Sequence, residues 1–467
     1  MIDVLLIQPP VSFLSNTIRN DIIPNCPHLG LLYLAAGVEQ FGLKVKIIDA
    51  LDGVWSDKEI IDFIILQKPK IIGISATTMN IRGAVQLAEK IKQNDKNAVV
   101  CLGGAHMSAD PEIVSRFDCF DFGIIGQADI TFPEIAGRII YYKEAFRGAI
   151  NSVVPEKLDD LPLPARHLVD WNYYVQKRSL RVNTVLATRG CPFNCIFCSI
   201  PTILRKHCTR IPELILEEMI KTYQLNKIDT FVFSDDIFTL NRNHIIELCR
   251  VLERYEKKFK WEAQTRADLV DNELLREMKE AGCYKLLFGV ESGNERIRTK
   301  IINKKIDDAE IDKANELCWK NNIEADWYLM VGFPTETKKE LYDTVNFPLK
   351  VRYKPNIIGV HITLPLPGSI LFKEAINEGV IDRNIIDDFI RGKFGDGFKD
   401  SWPYYLPRGL SIDDLKKARR NAYKKFYFRP SYILKRLRKD IFSLERLKNN
   451  LKQGWSLLRY GRSTDDK

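Results

Sequence analysis

Three cysteines, Cys191, Cys195 and Cys198, stand in the run Thr188-Arg-Gly-Cys-Pro-Phe-Asn-Cys-Ile-Phe-Cys-Ser199. Ten cysteines scattered at random over 467 residues would form such a C-x3-C-x2-C array only about 0.005 times. Closely spaced thiolates are the usual ligands of iron–sulfur clusters, and a cubane of four irons normally takes four of them. No fourth cysteine follows at ferredoxin-like spacing; the next is Cys208. One loop with three thiolates would hold three irons and leave the fourth open to a substrate-like ligand. That is a catalytic site rather than an electron wire. Two other readings use the same residues. A structural zinc site would take its fourth ligand from Cys208 or His207. A disulfide framework leaves one of the three cysteines over, and nothing marks the chain as secreted.

Further polar residues stand at regular intervals after β-branched runs. Ser234-Asp-Asp236, Gln264-Thr-Arg266, Gly289-Val-Glu-Ser-Gly293, Gly332-Phe-Pro-Thr-Glu-Thr337 and Pro365-Leu-Pro-Gly-Ser369 each close a strand pattern. Those strands are expected over 183–188, 230–234, 261–266, 284–291, 324–331 and 357–363, each followed by a helical stretch. Six such β–α alternations predict a partly open barrel, whose chemistry collects at the carboxyl ends of its strands. Taken singly, Asp235 or Asp236 could be a helix N-cap, Glu291 a salt-bridge partner and Gly293 a turn residue. Polar groups at the same end of all six strands argue for a site.

The amino-terminal third has its own rhythm. Strand patterns at 4–7, 45–49, 71–75, 99–102 and 122–125 alternate with helical ones at 29–40, 58–66, 81–93 and 130–141. Five alternations predict an open parallel sheet covered by helices, with ligands at the strand carboxyl ends. The segments there are small: Ser75-Ala-Thr-Thr78, Gly103-Gly-Ala-His106 and Gly126-Gln-Ala-Asp129. Small residues let backbone approach a bulky ligand. Prolines 155, 162 and 164 mark residues 151–180 as a stiff linker. The expected division is therefore 1–150, the linker 151–180, a barrel over 181–375, and a helical basic region over 376–467.

Composition bounds the rest. With 45% hydrophobic and 28% charged residues the chain is ordinary globular protein. No apolar run approaches the roughly 18 residues that span a bilayer. Free cysteines in apolar segments fit a reducing cytoplasm. The net charge of +9 is uneven, for residues 411–460 hold 15 Lys and Arg against 4 Asp and Glu. In that tail Tyr423, Phe426, Tyr427, Phe428, Tyr432, Ile433, Leu434 and Trp455 interleave with the cations. Three meanings stay open: a solvated face packed on the barrel, attraction to the anionic inner face of a membrane, or nucleic-acid binding. No RNA-reading module is visible, so nucleic acid ranks last.

The cysteine run, with aromatic Phe197 before its last cysteine, resembles the cluster loop of radical S-adenosylmethionine (SAM) enzymes. Phe233-Ser-Asp-Asp-Ile-Phe238 is similar to a motif of their cobalamin-dependent branch. Pro27-His-Leu-Gly-Leu-Leu-Tyr-Leu-Ala-Ala36 and Gly103-Gly104 look like that branch's cobalamin-binding half. The likeness spans roughly residues 1–375. It implies a Rossmann-like cobalamin-binding sheet, a partial (β/α)6 TIM-like radical SAM barrel, and a basic α-helical extension. It implies a 4Fe-4S cluster on Cys191, Cys195 and Cys198, whose open iron is chelated by SAM. SAM would meet Phe197, Asp235 or Asp236 (at its ammonium), Arg266 (carboxylate), Glu291 and Ser292 (ribose) and Gly332 (adenine). Cobalamin would lie against Ser75, Thr77, Gly103, Gly104, His106 and Gly126. The Asp-x-His-x-x-Gly motif is absent, so His106 and His28 read as hydrogen-bonded loop histidines rather than cobalt ligands. Where the branch often has Gly-Glu-Gly-Glu, this chain has Gly126-Gln-Ala-Asp129.

The reaction implied is methylation of an unactivated carbon through a 5′-deoxyadenosyl radical. A reductant such as flavodoxin or ferredoxin and a small-molecule or lipid substrate are implied with it. Alternatives are cobalamin-dependent cyclisation, ring contraction or oxidation, a non-catalytic corrinoid-binding protein, and a methylthiotransferase. The last would use three amino-terminal cysteines in matching motifs and a β-rich tail. Cys26, Cys101 and Cys119 sit in no such motifs, and the tail reads as helical.

Overall fold

The computed structural model describes residues 2–10, 26–50, 54–393 and 405–434. They form two compact units: the described residues within 1–264, 280–283 and 365–403, and those within 265–279, 284–364 and 404–467.

The first unit opens with a six-stranded parallel sheet in the order β2-β1-β3-β4-β5-β6. Its strands are β1 (Val4–Gln8), β2 (Val45–Asp49), β3 (Ile71–Ser75), β4 (Val99–Gly103), β5 (Phe122–Ile125) and β6 (Gly148–Asn151). Helices α1 (Leu29–Gln40), α2 (Asp57–Gln67), α3 (Ile81–Asn94) and α4 (Thr131–Tyr142) alternate with them. Every residue of β1 is buried, as a strand covered on both faces requires. Val4 pairs with Val45 on one side and Ile71 on the other, so the strand order reverses at β1. That reversal is where open α/β sheets bind ligands. The sixth strand was not expected from the sequence. Gly148–Asn151 is mostly exposed and β-poor, and pairing with β5 rather than propensity makes it a strand.

The same unit continues with β7 (Asn183–Val185), β8 (Thr188–Arg189), β9 (Cys208–Thr209), α5 (Pro212–Asn226), β10 (Thr230–Phe233), α6 (Arg242–Arg254) and β11 (Lys260–Thr265). β10 lies parallel between β7 and β11. Here a single strand over 183–188 had been expected, and the structure divides it. After Val185 the chain leaves the parallel ladder, and Thr188-Arg189 pairs antiparallel with Cys208-Thr209.

The second unit is built on parallel β12 (Cys283–Glu291), β13 (Glu324–Val331) and β14 (Ile357–Ile362). Capping boxes start its helices α7 (Asp308–Lys320), from Asp307 and Glu310, and α8 (Lys338–Lys350), from Thr337 and Glu340. The register of β12 against β13 shifts between Gly289 and Glu291, a bulge at the carboxyl end of the strand. Helix α9 (Ile412–Tyr427) buries Leu415, Ala418, Ala422 and Phe426. Tyr423, Phe426 and Tyr427 therefore belong to a packed face and are not free for a bilayer. Phe428, Ile433 and Leu434 are exposed, while Trp455 lies outside the described residues. No described helix is long and apolar enough to cross a membrane.

Candidate cluster and cofactor site

The loop of Cys191, Cys195 and Cys198 has no regular structure of its own, so its position depends on what grips it. Asp235, wholly buried just past β10, accepts the backbone N–H of Thr188 and, at 3.2 Å, that of Ala187. Asp236 accepts the N–H of Gly190 at 2.9 Å. Cys191 donates its own N–H to Leu204 O at 3.0 Å. At the far end Leu371 N–H reaches Ile196 O, and the Ser199 and Thr202 hydroxyls donate to Pro367 O (2.8 Å) and Gly368 O (2.7 Å). Gly190 has φ +93°, and a Cβ there would stand 2.2 Å from Lys206 O. Only glycine fits that approach.

The three cysteines are half-buried. Burial pushes the Cys198 thiol up to about 12, the Ile200 N–H opposes this, and the Cys195, Cys191 and Asp236 charges raise it further. Cys191 and Cys195 thus each lie within electrostatic reach of Cys198, which also has a backbone donor. Such a set fits an iron–sulfur cluster, whose metal charge would favour the thiolate forms. Among the described residues no three His, Cys, Asp or Glu side chains are placed to hold one metal ion. Cluster thiolates bind separate irons and need not converge on a single point. Phe197 is half-buried in the same loop.

The two aspartates part company. Burial pushes the Asp235 carboxyl up to about 7, against its bonds to Thr188 and Ala187. Both its oxygens are occupied by backbone amides. Asp236 is less buried, and its charge reaches Cys198.

In the second unit Arg266 is buried and gives its fork to Asp268, with Nε at 3.0 Å and Nη2 at 2.8 Å, and Nη2 also to Lys304 O at 2.8 Å. Glu291, buried at the β12 bulge, pairs with Lys304 Nζ at 2.9 Å. Its φ of +66° is costly for a non-glycine residue and typical of functional sites. Ser292 is fully buried, its hydroxyl 3.0 Å from the Thr344 hydroxyl. Gly332 has φ +95°, and a Cβ there would meet Leu415 of α9 at 3.0 Å. Its N–H is held by Glu336, which also takes the N–H of Phe333 at 3.1 Å. Burial pushes Glu336 up to about 7. Lys304 was not singled out in the sequence, where it carries no motif, and Glu336 was read only as part of the run Gly332–Thr337.

At the carboxyl end of the first sheet, Gly103 faces open space: a Cβ there would have no atom within 4 Å. Gly104 instead passes under the Ala76 backbone, with φ +93° and 2.6 Å from such a Cβ to Ala76 O. Thr77 donates its hydroxyl to Asn80 Oδ1 at 3.1 Å, and Ser75 ends β3 half-buried. His106 is fully buried with Nδ1 3.1 Å from the Thr78 hydroxyl. Burial pushes its imidazole down to about 4, so it is neutral. His28 caps α1, its Nδ1 accepting the Leu31 N–H. Gly126, with φ +87°, donates its N–H to Ser108.

The sequence reading missed Gln8. It ends β1 at the reversal point, is 4% exposed, and its Oε1 has no hydrogen-bond partner among the described residues. A buried, unpaired amide oxygen at the end of β1 and an open glycine at the end of β4 fit a large ligand rich in amide donors, as cobalamin is. A cavity of about 460 Å³ opens nearby at the end of β2, walled by Pro27, His28, Ile47, Asp49, Trp55 and Tyr174.

Residues 185–347 match the radical SAM superfamily, and residues 17–136 match the B12 binding domain. An uncharacterized methyltransferase of Pyrococcus horikoshii is 29% identical over 463 residues, 94% of this chain and 94% of that protein. The anaerobic magnesium-protoporphyrin IX monomethyl ester cyclase of Rubrivivax gelatinosus is 23% identical over 441 residues, 90% of this chain and 77% of the cyclase. The fold is also similar to that of the radical S-adenosylmethionine methyltransferase TsrM from Kitasatospora setae, solved with cobalamin and a 4Fe-4S cluster. The TM-score is 0.70 at 15% identity, over 92% of this chain and 89% of that one. A B12-binding domain followed in one chain by a radical SAM domain places this protein in the cobalamin-dependent radical SAM family.

Proposed function

We propose that the protein is a cobalamin-dependent radical SAM methyltransferase acting on an unactivated carbon. Cys191, Cys195 and Cys198 hold the cluster in this reading, and the observation that carries it is their C-x3-C-x2-C spacing on one loop clasped at both ends. Bound together, cluster, SAM and cobalamin supply a carbon-centred radical and a methyl group. The chain's own residues do the positioning. Asp235 and Asp236 set the backbone that delivers Cys191, and we assign the SAM ammonium to the Asp236 carboxylate. Arg266, Lys304 and Glu291 form a buried charged network at the end of β12, to which we assign the polar end of SAM and its ribose. We also assign SAM contacts to Phe197 in the first unit and to Ser292 and Gly332 in the second. Gln8, Ser75, Thr77, Gly103, Gly104, His106 and Gly126 line the cobalamin side, with His106 neutral and its Nδ1 paired with the Thr78 hydroxyl.

A radical SAM enzyme requires a reductant and acts on a small substrate; we assign flavodoxin or ferredoxin to the first role. The cyclase relative keeps a second reading in view, in which the same cofactors drive cyclisation or oxidation. The exposed Phe428, Ile433 and Leu434 beside a basic tail support contact with an anionic membrane surface from the cytoplasm. Binding to anionic vesicles at low salt, lost as salt rises, tests that contact; no binding at low salt removes it.

The central test is anaerobic reconstitution. The wild-type chain should take up a four-iron cluster and cobalamin and release 5′-deoxyadenosine on reduction with SAM. Cys191→Ala, Cys195→Ala and Cys198→Ala should each abolish the cluster, and Cys208→Ala should leave it. Small molecules and lipids from cells with and without the protein should differ by one methylene. Zinc in place of iron, or equal loss at Cys208, overturns the assignment. A change of ring count or oxidation state moves the reaction to the second reading.

A further inference from the structure

Gln127 and Asp129 follow β5 in the turn where cofactor contacts are expected, yet their side chains are spent on the protein. The Asp129 carboxylate takes Arg189 Nη1 at 2.7 Å and Nη2 at 3.4 Å, and Gln127 Oε1 takes Nη1 at 2.9 Å. All three residues are less than one-tenth exposed. The Tyr33 ring of α1 lies against the guanidinium, with the centre of its charge 5.4 Å away. Arg189 stands two residues before Cys191, and the next N–H along, that of Gly190, is held by Asp236. One buried cation thus joins the turn that closes the first sheet to the strand that delivers the cluster loop.

Stability alone is a poor reason for this pair. Desolvating two charges costs much of what their attraction returns, and apolar residues of the same shape often serve as well. What an arginine fork adds is geometry, since its planar donors accept a carboxylate in one orientation. The turn is also hemmed in, because a Cβ on Gly37 of α1 would stand 3.2 Å from Asp129 O.

We infer that Arg189, Gln127 and Asp129 are positioning residues that keep the cobalamin-side turn and the cluster loop in one register. The inference rests on the two-cofactor reading, but the ion pair belongs to the chain itself and can be tested without cofactors.

The experiment uses the full chain with Arg189→Lys, Asp129→Asn and the apolar pair Arg189→Met with Asp129→Leu. In cofactor-free protein, hydrogen exchange of the amides at 126–131 and 187–191 should quicken about ten-fold in the apolar pair, with little change in melting temperature. Asp129→Asn should do the same if the pair fails to fold. In loaded protein, the magnetic coupling between cob(II)alamin and the reduced cluster should report a narrow separation in the wild type and a broad one in the variants. Unchanged exchange in both segments, or equally narrow coupling in the variants, overturns the inference. Full restoration by lysine would show that charge alone suffices and overturn the role of the fork. A wild type that binds neither cofactor defeats the proposed function, while the exchange measurement still decides the ion pair.

Discussion

Tyr427 closes the edge of β14 by bonding twice to one residue: its hydroxyl accepts the Ile358 N–H at 3.0 Å and lies 2.8 Å from the Ile358 carbonyl oxygen, to which it donates. One helical turn earlier Tyr423 does the same to Val360, at 3.0 and 3.2 Å. Two phenols four residues apart on α9 thus stand in for a neighbouring strand and pair N–H and C=O groups that an open edge would expose. Aromatics that read in sequence as an interfacial stripe are here structural.

Replacing Tyr427 by phenylalanine should therefore cost more than a surface change. Loss of the phenol leaves Ile358 without either partner, so the unfolding free energy should fall by about 1–3 kcal/mol. Denaturant unfolding measures it, and the double variant Tyr423→Phe/Tyr427→Phe should also aggregate more readily. Truncation after Gly409 should be worse still, because it removes the helix that covers this edge. A truncated chain that unfolds like the full one would contradict the arrangement.

Asp235→Asn should loosen the cluster loop without touching a cysteine. An amide can accept one of the two backbone N–H groups but sets its own donors against the other. About 2 kcal/mol should be lost, with less iron retained per chain after reconstitution. Equal iron content and equal stability would show that the loop is held by other contacts.

Glu336 carries a pH dependence whose sign is fixed by its burial. Its folded value of about 7 stands above the ordinary 4.5, raised by desolvation and by Glu340, and lowered by the Gly332 and Phe333 amides and by Arg296. Stability from this group is full below about pH 4.5 and is lost as pH rises through 7. Glu336→Gln keeps an oxygen for both amides and removes the titration. It should flatten the stability profile over that window and leave the variant more stable at pH 8, by up to ~3 kcal/mol. Parallel wild-type and variant profiles would place the pH dependence elsewhere.

Several elements were legible for direct reasons. β-Branched runs at regular spacing marked the first five strands of the amino-terminal sheet, because strands buried on both faces must be apolar throughout. The strand at 148–151 was hidden because Gly148-Ala-Ile-Asn151 is held by its neighbour alone. The extended run over 183–188 read as one strand, since nothing local shows that Asp235 draws Ala187 and Thr188 out of the ladder. Lys304 and Gln8 were passed over because an isolated lysine or glutamine carries no spacing signal.

By itself, then, the sequence determined the chemistry and the order of the parts: three thiolates at C-x3-C-x2-C, a small-residue sheet before them, and polar residues closing each later strand. Tertiary structure decided how those polar residues are spent. Asp235 meets Ala187 across 48 positions, Arg189 meets Asp129 across 60, and Tyr427 meets Ile358 across 69. Hydrogen bonds and ion pairs act over a few ångströms of space, and a sequence records only distance along the chain.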